Sequence, residues 1–333
     1  MAKSLILLLM ALLALTVLPS AALRLSRNPF PHLPIFVSQP VEAAVATDEN
    51  TRMQHVEWLN VATQPQAPIS ARFHLAGPFG ELSPEEFAAR VLMPPRPAVA
   101  HSPVRFRVPR TDTPLPDSFD WRAMGAVTSV KDQGYLGTCW AFSTVENLEG
   151  QLFLQGGDLI ALSVEQLVEC DAAADPEKGN ADCGEFGGWP YLAYDSIRAS
   201  GGIYSDEDFP YCSGIPYGEP GNCMPCMASG YSTKYCGNHK DLYCKRGTTK
   251  GQVKGGLCHQ KDGRVAQVSD WQAISMDEAE IQRHLVEVGP LSAALNAALL
   301  QFYYGGIYNP YDYFCDPDSL DHAVLIVGYG SEG

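Results

Sequence analysis

Apolar residues recur with a helical period through the middle of the chain. After Cys139 they fall on one face of a helix, at Ala141, Val145, Leu148 and Leu152. Similar spacing predicts three more helices, at 164–168 with Ser163 as its cap, at 189–197 and at 277–288. The first half of the protein is therefore predicted to be mainly helical.

Strand patterns follow in the second half. Leu291, Ala293 and Leu295 alternate with smaller residues, and the unbroken apolar run 323–327 is typical of a buried strand that ends at Gly328. Helices first and strands later predict an α+β fold of two lobes.

The region from 23 to 114 is interrupted by prolines and has one clear helix start. Ser83 is the expected N-cap, Pro84 the first helical residue and Glu86 the partner in a capping box. No long amphipathic helix stands out upstream of Phe79. The helix is either an ordinary surface helix or part of a pro-segment that folds back onto the protein and blocks it.

The first 22 residues predict a signal peptide. Lys3 precedes an apolar run from Leu5 to Leu18, and Pro19 then breaks the helix. The run is too short to cross a hydrocarbon layer of ~30 Å, so a membrane anchor is the less favoured alternative. We expect entry into the secretory pathway, with a lysosome, a vacuole or the extracellular space as destination.

Composition narrows the function classes. The formal charge of −15 disfavours a nucleic acid partner, because phosphates repel such a surface. In a secreted chain the ten cysteines are expected to form disulfides. Six of them fall in a Gly- and Lys-rich insert at 212–262 that has little apolar periodicity. A zinc site at 223–259 is the alternative there, but we predict a monomer without metal or cofactor.

One cysteine is predicted to be a nucleophile instead. Cys139 lies where the glycine-containing loop 133–138 meets a helix start, and a helix N-terminus favours the thiolate. Backbone amides at this turn, together with the side chain of Gln133, would stabilise an oxyanion. Among the eight histidines, His322 is the expected base because it opens the buried strand. Pairing of Cys139 in a disulfide is the alternative.

Four blocks in this order resemble papain-type cysteine peptidases. They are Asp117–Trp121, Gln133–Phe142, Leu162–Cys170 and Leu320–Gly330. The resemblance implies a papain-like fold with a helical left lobe and a β-barrel-like right lobe. It also implies a Cys139 thiolate paired with a His322 imidazolium, Gln133 in the oxyanion hole, a thioester intermediate, and protein or peptide substrates.

The resemblance further implies a substrate groove. Gly187 and Gly188 would bind the substrate backbone, and a pocket for a bulky apolar side chain would be lined by Trp189, Pro190, Ala294 and Ala323. The segment around Ser83 resembles the end of the family's inhibitory pro-segment, with removal expected between Arg110 and Leu115. The resulting division is signal peptide 1–22, pro-segment 23–114, helical lobe 115–211, insert 212–262 and strand-rich lobe 263–333.

Three departures qualify the resemblance. Leu136 stands where the family has a cysteine, so its usual partner, Cys183, must pair elsewhere or stay free. The separation of Cys139 from His322 exceeds the roughly 130–150 residues of the family, and the insert accounts for the excess. The family's Asn-Ser-Trp-Gly motif is not found after His322. We expect an incomplete sequence of an active protease, and a catalytically inactive binding protein or non-functional fragment is the alternative.

Overall fold

The structure is a computed structural model that describes residues 49–62, 71–96, 114–211, 227–239, 258, 262–310 and 315–331. The helices are α1 Glu49–Ala62, α2 Pro84–Arg90, α3 Cys139–Leu154, α4 Val164–Cys170, α5 Pro190–Ser200, α6 Thr233–Cys236 and α7 Glu278–Val288. The strands are β1 Arg72–Phe73, β2 Phe119–Asp120, β3 Ala174–Asp175, β4 Asn180–Ala181, β5 Leu291–Leu295, β6 Tyr303–Gly305, β7 His322–Ile326 and β8 Gly328–Tyr329. None of the helices in these ranges is long and apolar enough to cross a membrane. The predicted signal peptide lies outside the described residues.

The helical lobe is built around α3. Trp140 is completely buried, and its indole N–H donates to the Gly184 carbonyl oxygen at 3.0 Å. Helix α4 begins as predicted, since the Ser163 hydroxyl accepts from the backbone N–H of Gln166. Pro190 opens α5 at the first helical position, and Gly201 ends it in the left-handed conformation. These helices pack around α3 and fix the start of that helix in the interior.

The strand-rich lobe contacts α3 through the antiparallel pair β5–β7, in which Leu295 lies opposite His322. The Ser143 hydroxyl on α3 donates to the Val324 carbonyl oxygen at 2.7 Å, which joins the helix to this pair. Asp277 caps α7, which packs beside β5 through the buried Leu285. The observed helices and strands confirm the predicted α+β arrangement.

The N-terminal segment, residues 23–114, contributes two described helices. The Ser83 capping box at α2 is present in both directions, as predicted. The expectation of no helix upstream is wrong, because α1 spans fourteen residues. Its sequence is mostly polar, and Leu59 is its one fully buried residue, so the apolar period is weak. Strand β1 then pairs with β6 of the strand-rich lobe.

Two disulfides tie the insert to the helical lobe. Cys170 is bonded to Cys258, and Cys183 is bonded to Cys236. Leu136 replaces the cysteine with which Cys183 would pair in the family. The second bridge shows that Cys183 pairs instead with Cys236 in the insert. Neither Cys236 nor Cys258 is therefore available as a zinc ligand. The remaining cysteines of the proposed zinc site lie outside the described residues.

Candidate active site

Cys139 is the first residue of α3 and carries a free thiol. The side chain lies beside strand β7, where the backbone of Ala323 is close enough to act on the sulfur. Ala323 directly follows His322, so the candidate base opens the strand that borders the candidate nucleophile. Only 1% of Cys139 is exposed.

Burial determines the protonation of both groups in this arrangement. Loss of water raises the pKa of the Cys139 thiol to about 12, and neighbouring backbone amides offset only part of that effect. Burial lowers the pKa of His322 to about 4. The His322 Nδ1 atom is buried and has no hydrogen-bond partner among the residues that the structure describes. Both side chains are therefore neutral at pH 7 while the site is covered.

The N-terminal segment provides that cover. Its residues 91–96 follow α2 and cross the cleft between the two lobes. Met93 donates its backbone N–H to the Asp321 carbonyl oxygen at 2.8 Å, on the β7 side. Arg96 and Leu320 exchange two backbone hydrogen bonds of 2.9 Å. An extended stretch of chain thus already occupies the cleft above Cys139.

Gln133 faces the same stretch of chain. Its side-chain amide donates to the Val91 carbonyl oxygen at 3.0 Å and to the Leu136 carbonyl oxygen at 2.6 Å. The donor predicted for an oxyanion is therefore occupied by a carbonyl of the N-terminal segment. Tyr211 supports this loop from behind, because its hydroxyl donates to the Gln133 carbonyl oxygen at 2.8 Å.

Gly187 and Gly188 form the wall opposite β7. The Met93 sulfur accepts from the Gly188 backbone N–H at 3.4 Å. A Cβ on Gly187 would lie 3.0 Å from the Met93 Cβ, and one on Gly188 would lie 2.5 Å from the Trp140 ring. Only glycine leaves room here for both the indole beneath and an extended chain above.

The other predicted groove residues separate into two groups. Trp189 lines the covered groove with Met93 and Leu320, and the cavity left there has a volume of only about 10 Å³. Ala323 is buried beside Cys139, and its strand neighbour is Ala294. Pro190 and Ala294 line a much larger cavity of 1050 Å³ on the other side of Trp189. The structure therefore does not gather all six residues in one pocket.

Sequence reasoning missed several residues at the cleft. Asp321 accepts the Ala297 backbone N–H at 2.7 Å, and burial raises the pKa of its carboxyl to about 7. Its position next to His322 was the available signal. Met93 and Phe186 also line the groove, but no local motif marks them, because their positions depend on the approach of distant segments.

Similarity to known proteins assigns this chain to a family. Residues 115–333 match the profile described as papain family cysteine protease. The chain belongs to the papain family. This membership confirms the papain-like, two-lobed fold that the four sequence blocks predicted.

Individual papain-family relatives agree with this assignment. The chain is 38% identical to cysteine proteinase 15A of Pisum sativum over 219 residues, which are 66% of this chain and 49% of that protein. It is 37% identical to digestive cysteine proteinase 2 of Homarus americanus over 267 residues, 78% of this chain and 67% of that protein. The chain spans about half the length of several of these relatives.

Solved structures extend the likeness into the N-terminal segment. The digestive procathepsin L2 proteinase of Tenebrio molitor larval midgut superposes with a TM-score of 0.60 at 26% identity. The match covers 85% of this chain and 76% of that one. Because it is a proenzyme, the comparison supports a pro-segment in this papain-family chain.

Proposed function

We propose that the protein is the precursor of a cysteine endopeptidase. The observation that carries this proposal is a free thiol at the start of α3, beside Ala323 of the strand that His322 opens, beneath a cleft that holds an extended chain. A substrate needs the same three things: a nucleophile, a nearby base and backbone partners on both walls.

The proposed reaction begins once the N-terminal segment has left the cleft. Water then reaches both groups, the thiol pKa falls and the His322 pKa rises, so the proton moves from sulfur to imidazole. The thiolate attacks the substrate carbonyl carbon and forms a C–S bond. The resulting oxyanion accepts hydrogen bonds from the Gln133 amide and the Cys139 backbone N–H.

The tetrahedral intermediate then collapses, and the C–N bond breaks. His322 gives its proton to the departing amine, which leaves a thioester on Cys139. A water molecule, deprotonated by His322, attacks the thioester carbon and releases the acid, and the thiol is regenerated. These groups account for every proton, and the proposed reaction needs no cofactor.

The N-terminal segment is proposed to inhibit the enzyme before maturation. Three hydrogen bonds support this role. The Val91 carbonyl oxygen accepts from the Gln133 side chain, and Met93 accepts from Gly188 through its sulfur and donates to Asp321 through its backbone N–H. Met93 also fills the groove beside Trp189, which supports a preference for a bulky apolar side chain there. Removal between Arg110 and Leu115 stays a prediction, and most of that stretch lies outside the described residues.

We also propose that the protein passes through the secretory pathway to a lysosome, a vacuole or the extracellular space. The N-terminal apolar run supports entry into that pathway. Two disulfides support an oxidising environment during folding.

Hydrolysis by the matured full-length protein tests the endopeptidase proposal. A fluorogenic peptide with Leu or Phe at the second position before the scissile bond should be cleaved at mildly acidic pH. Cys139→Ser and His322→Ala should each lower kcat/KM by at least about 10³-fold. An epoxide thiol reagent should add its mass to Cys139 and to no other cysteine.

His284→Ala is the matched control, because His284 sits on α7 and bonds the Glu280 carbonyl oxygen away from the cleft. This variant should keep its activity. Unchanged hydrolysis by Cys139→Ser would contradict the proposal.

A further inference from the structure

The wall of the groove continues beyond Gly187 to an aromatic ring. Phe186 ends the short 3₁₀ turn Gly184–Phe186 and lines the groove together with Gly187, Met93 and Pro94. A Cβ on Gly187 would lie 3.4 Å from the Pro94 ring, so the crossing chain passes close to this part of the wall. Once the N-terminal segment is gone, this side of Phe186 faces whatever chain binds next.

The insert holds the same ring from behind. The imidazole of His239 stacks on Phe186 with the ring centroids 3.9 Å apart and the planes within 11°. The His239 backbone N–H donates to the Tyr231 hydroxyl at 2.7 Å, which fixes where the imidazole stands. Phe186 is therefore held between the groove and the insert.

The insert is anchored independently of this stack. Cys236 is bonded to Cys183, only three residues before Phe186. Met227, Tyr231 and Cys236 pack against Ala181 and Cys183 in a small apolar cluster, and Phe186 packs against the same cluster. His239 is half-buried. The disulfide and this cluster attach the insert, and the described contact of the His239 ring is to Phe186 of the groove wall.

We propose that the insert extends the substrate-binding surface through His239, which acts as a positioning residue for Phe186. The pair forms a subsite for an aliphatic or aromatic side chain of an extended peptide, next to the site at Gly187 and Gly188. The subsite is apolar because its lining is Phe186, glycine backbone and Leu320, and because Pro94 occupies it in the covered protein. This inference rests on the proposed peptidase function.

Two peptides test the subsite. Both carry Leu at the second position before the scissile bond, and they differ at the third, with Phe in one and Gly in the other. The matured full-length protein should prefer the Phe peptide in kcat/KM. His239→Ala should reduce this preference by about 5-fold, because one stacked ring pair contributes an effect of that order. The loss should fall on KM, with kcat for the Gly peptide unchanged.

Rescue distinguishes positioning from general stability. His239→Phe keeps a flat ring against Phe186 and should restore the preference. Thr233→Ala lies on the exposed side of α6 in the same insert and should change nothing. Equal preference in His239→Ala and the unsubstituted protein would overturn the inference, and so would a failure of His239→Phe to rescue.

Binding keeps this inference separate from the proposed function. The same two peptides, labelled with a fluorophore, are titrated against the matured Cys139→Ser protein and its His239→Ala derivative. A preference for Phe that His239→Ala removes supports the subsite even if no variant hydrolyses peptide. Equal affinity for both peptides in the parent protein overturns it. Absence of hydrolysis alone contradicts only the peptidase proposal.

Discussion

Two segments cover the lobes of this protein, and they are attached in different ways. The N-terminal segment crosses the cleft at residues 91–96, where its described contacts are hydrogen bonds and apolar packing. The insert is attached by the bridges Cys170–Cys258 and Cys183–Cys236. The segment that is proposed to leave on maturation is held without disulfides among its described residues, whereas the insert, which is proposed to extend the groove wall, is bonded to the helical lobe. Changes to either segment test this difference in attachment.

The largest effect is expected when the N-terminal segment is removed. Burial raises the thiol pKa to about 12, which lowers the thiolate fraction at pH 7 by about 10³-fold relative to an exposed thiol. Alkylation of Cys139 at pH 7 should therefore be at least about 10³-fold faster after maturation than before it. Mass spectrometry of iodoacetamide-treated protein measures the rate, and Cys139→Ser gives the background. Equal rates before and after maturation would show that the segment does not shield the thiol.

Removing one bridge of the insert should cost about 4 kcal/mol of unfolding free energy, because the 53-residue separation sets the chain entropy that the bridge removes. The double substitution Cys183→Ala with Cys236→Ala tests this in the matured protein by urea denaturation. The midpoint should fall well below that of Thr233→Ala, which keeps the bridge. An unchanged midpoint would mean that apolar packing alone holds the insert.

Weakening the noncovalent cover should expose the thiol without cutting the chain. Phe87 is 4% exposed and packs with Leu82, Leu295 and Val324, so Phe87→Ala should cost about 3 kcal/mol of the cover's attachment. Alkylation of Cys139 in the uncleaved protein should then become up to about 10²-fold faster. Ala88→Ser, on the exposed side of the same helix, is the control. Identical rates in the two variants would contradict a role for α2 as the anchor.

The smallest expected effect concerns pH at the anchors of the insert. Asp171 and Asp182 adjoin the bridged Cys170 and Cys183, and burial raises the pKa of Asp171 to about 6 and that of Asp182 well above its usual range. The folded state binds more protons than the unfolded state between pH 4 and 6. This contribution to stability is therefore complete below pH 4 and is lost as pH rises through 6.

His322 acts in the opposite direction, since its pKa is lowered to about 4 and its contribution is lost as pH falls from 6.5. Both carboxyls together should outweigh it, so the melting temperature should rise from pH 7.5 to pH 5.5. Asp171→Asn should reduce this rise, whereas Asp158→Asn, at an exposed position, should not. A melting temperature that falls over this range would contradict the assignment.

Local chemistry explains which parts of the fold the sequence predicts. The caps at Ser83 and Ser163 are predicted from neighbouring residues, and both are present. The buried strand is predicted within one residue of its observed start at His322. Helix α1 escapes prediction because tertiary contacts around Leu59, and not a strong apolar period, stabilise it.

The candidate site also has parts that the sequence predicts and parts that it does not. Cys139 and His322 can be proposed because each begins an element with a recognisable pattern. The pairing of Cys183 with Cys236 has no local signature, since spacing does not determine disulfide connectivity. The crossing of Met93 over the cleft and the stacking of His239 on Phe186 also lack a local signature, because each joins residues that are distant in the chain.

The replacement at Leu136 has a consequence for work in thiol-containing buffers. The loop that carries the candidate nucleophile is joined to the facing wall by a hydrogen bond and not by a disulfide. The Gly137 backbone N–H donates to the Glu185 carbonyl oxygen at 2.8 Å. Reductant can therefore keep Cys139 in its reactive form without releasing that loop. Reductant would instead open the Cys183–Cys236 bridge behind Phe186, so in the proposed peptidase its concentration should change which peptides are preferred.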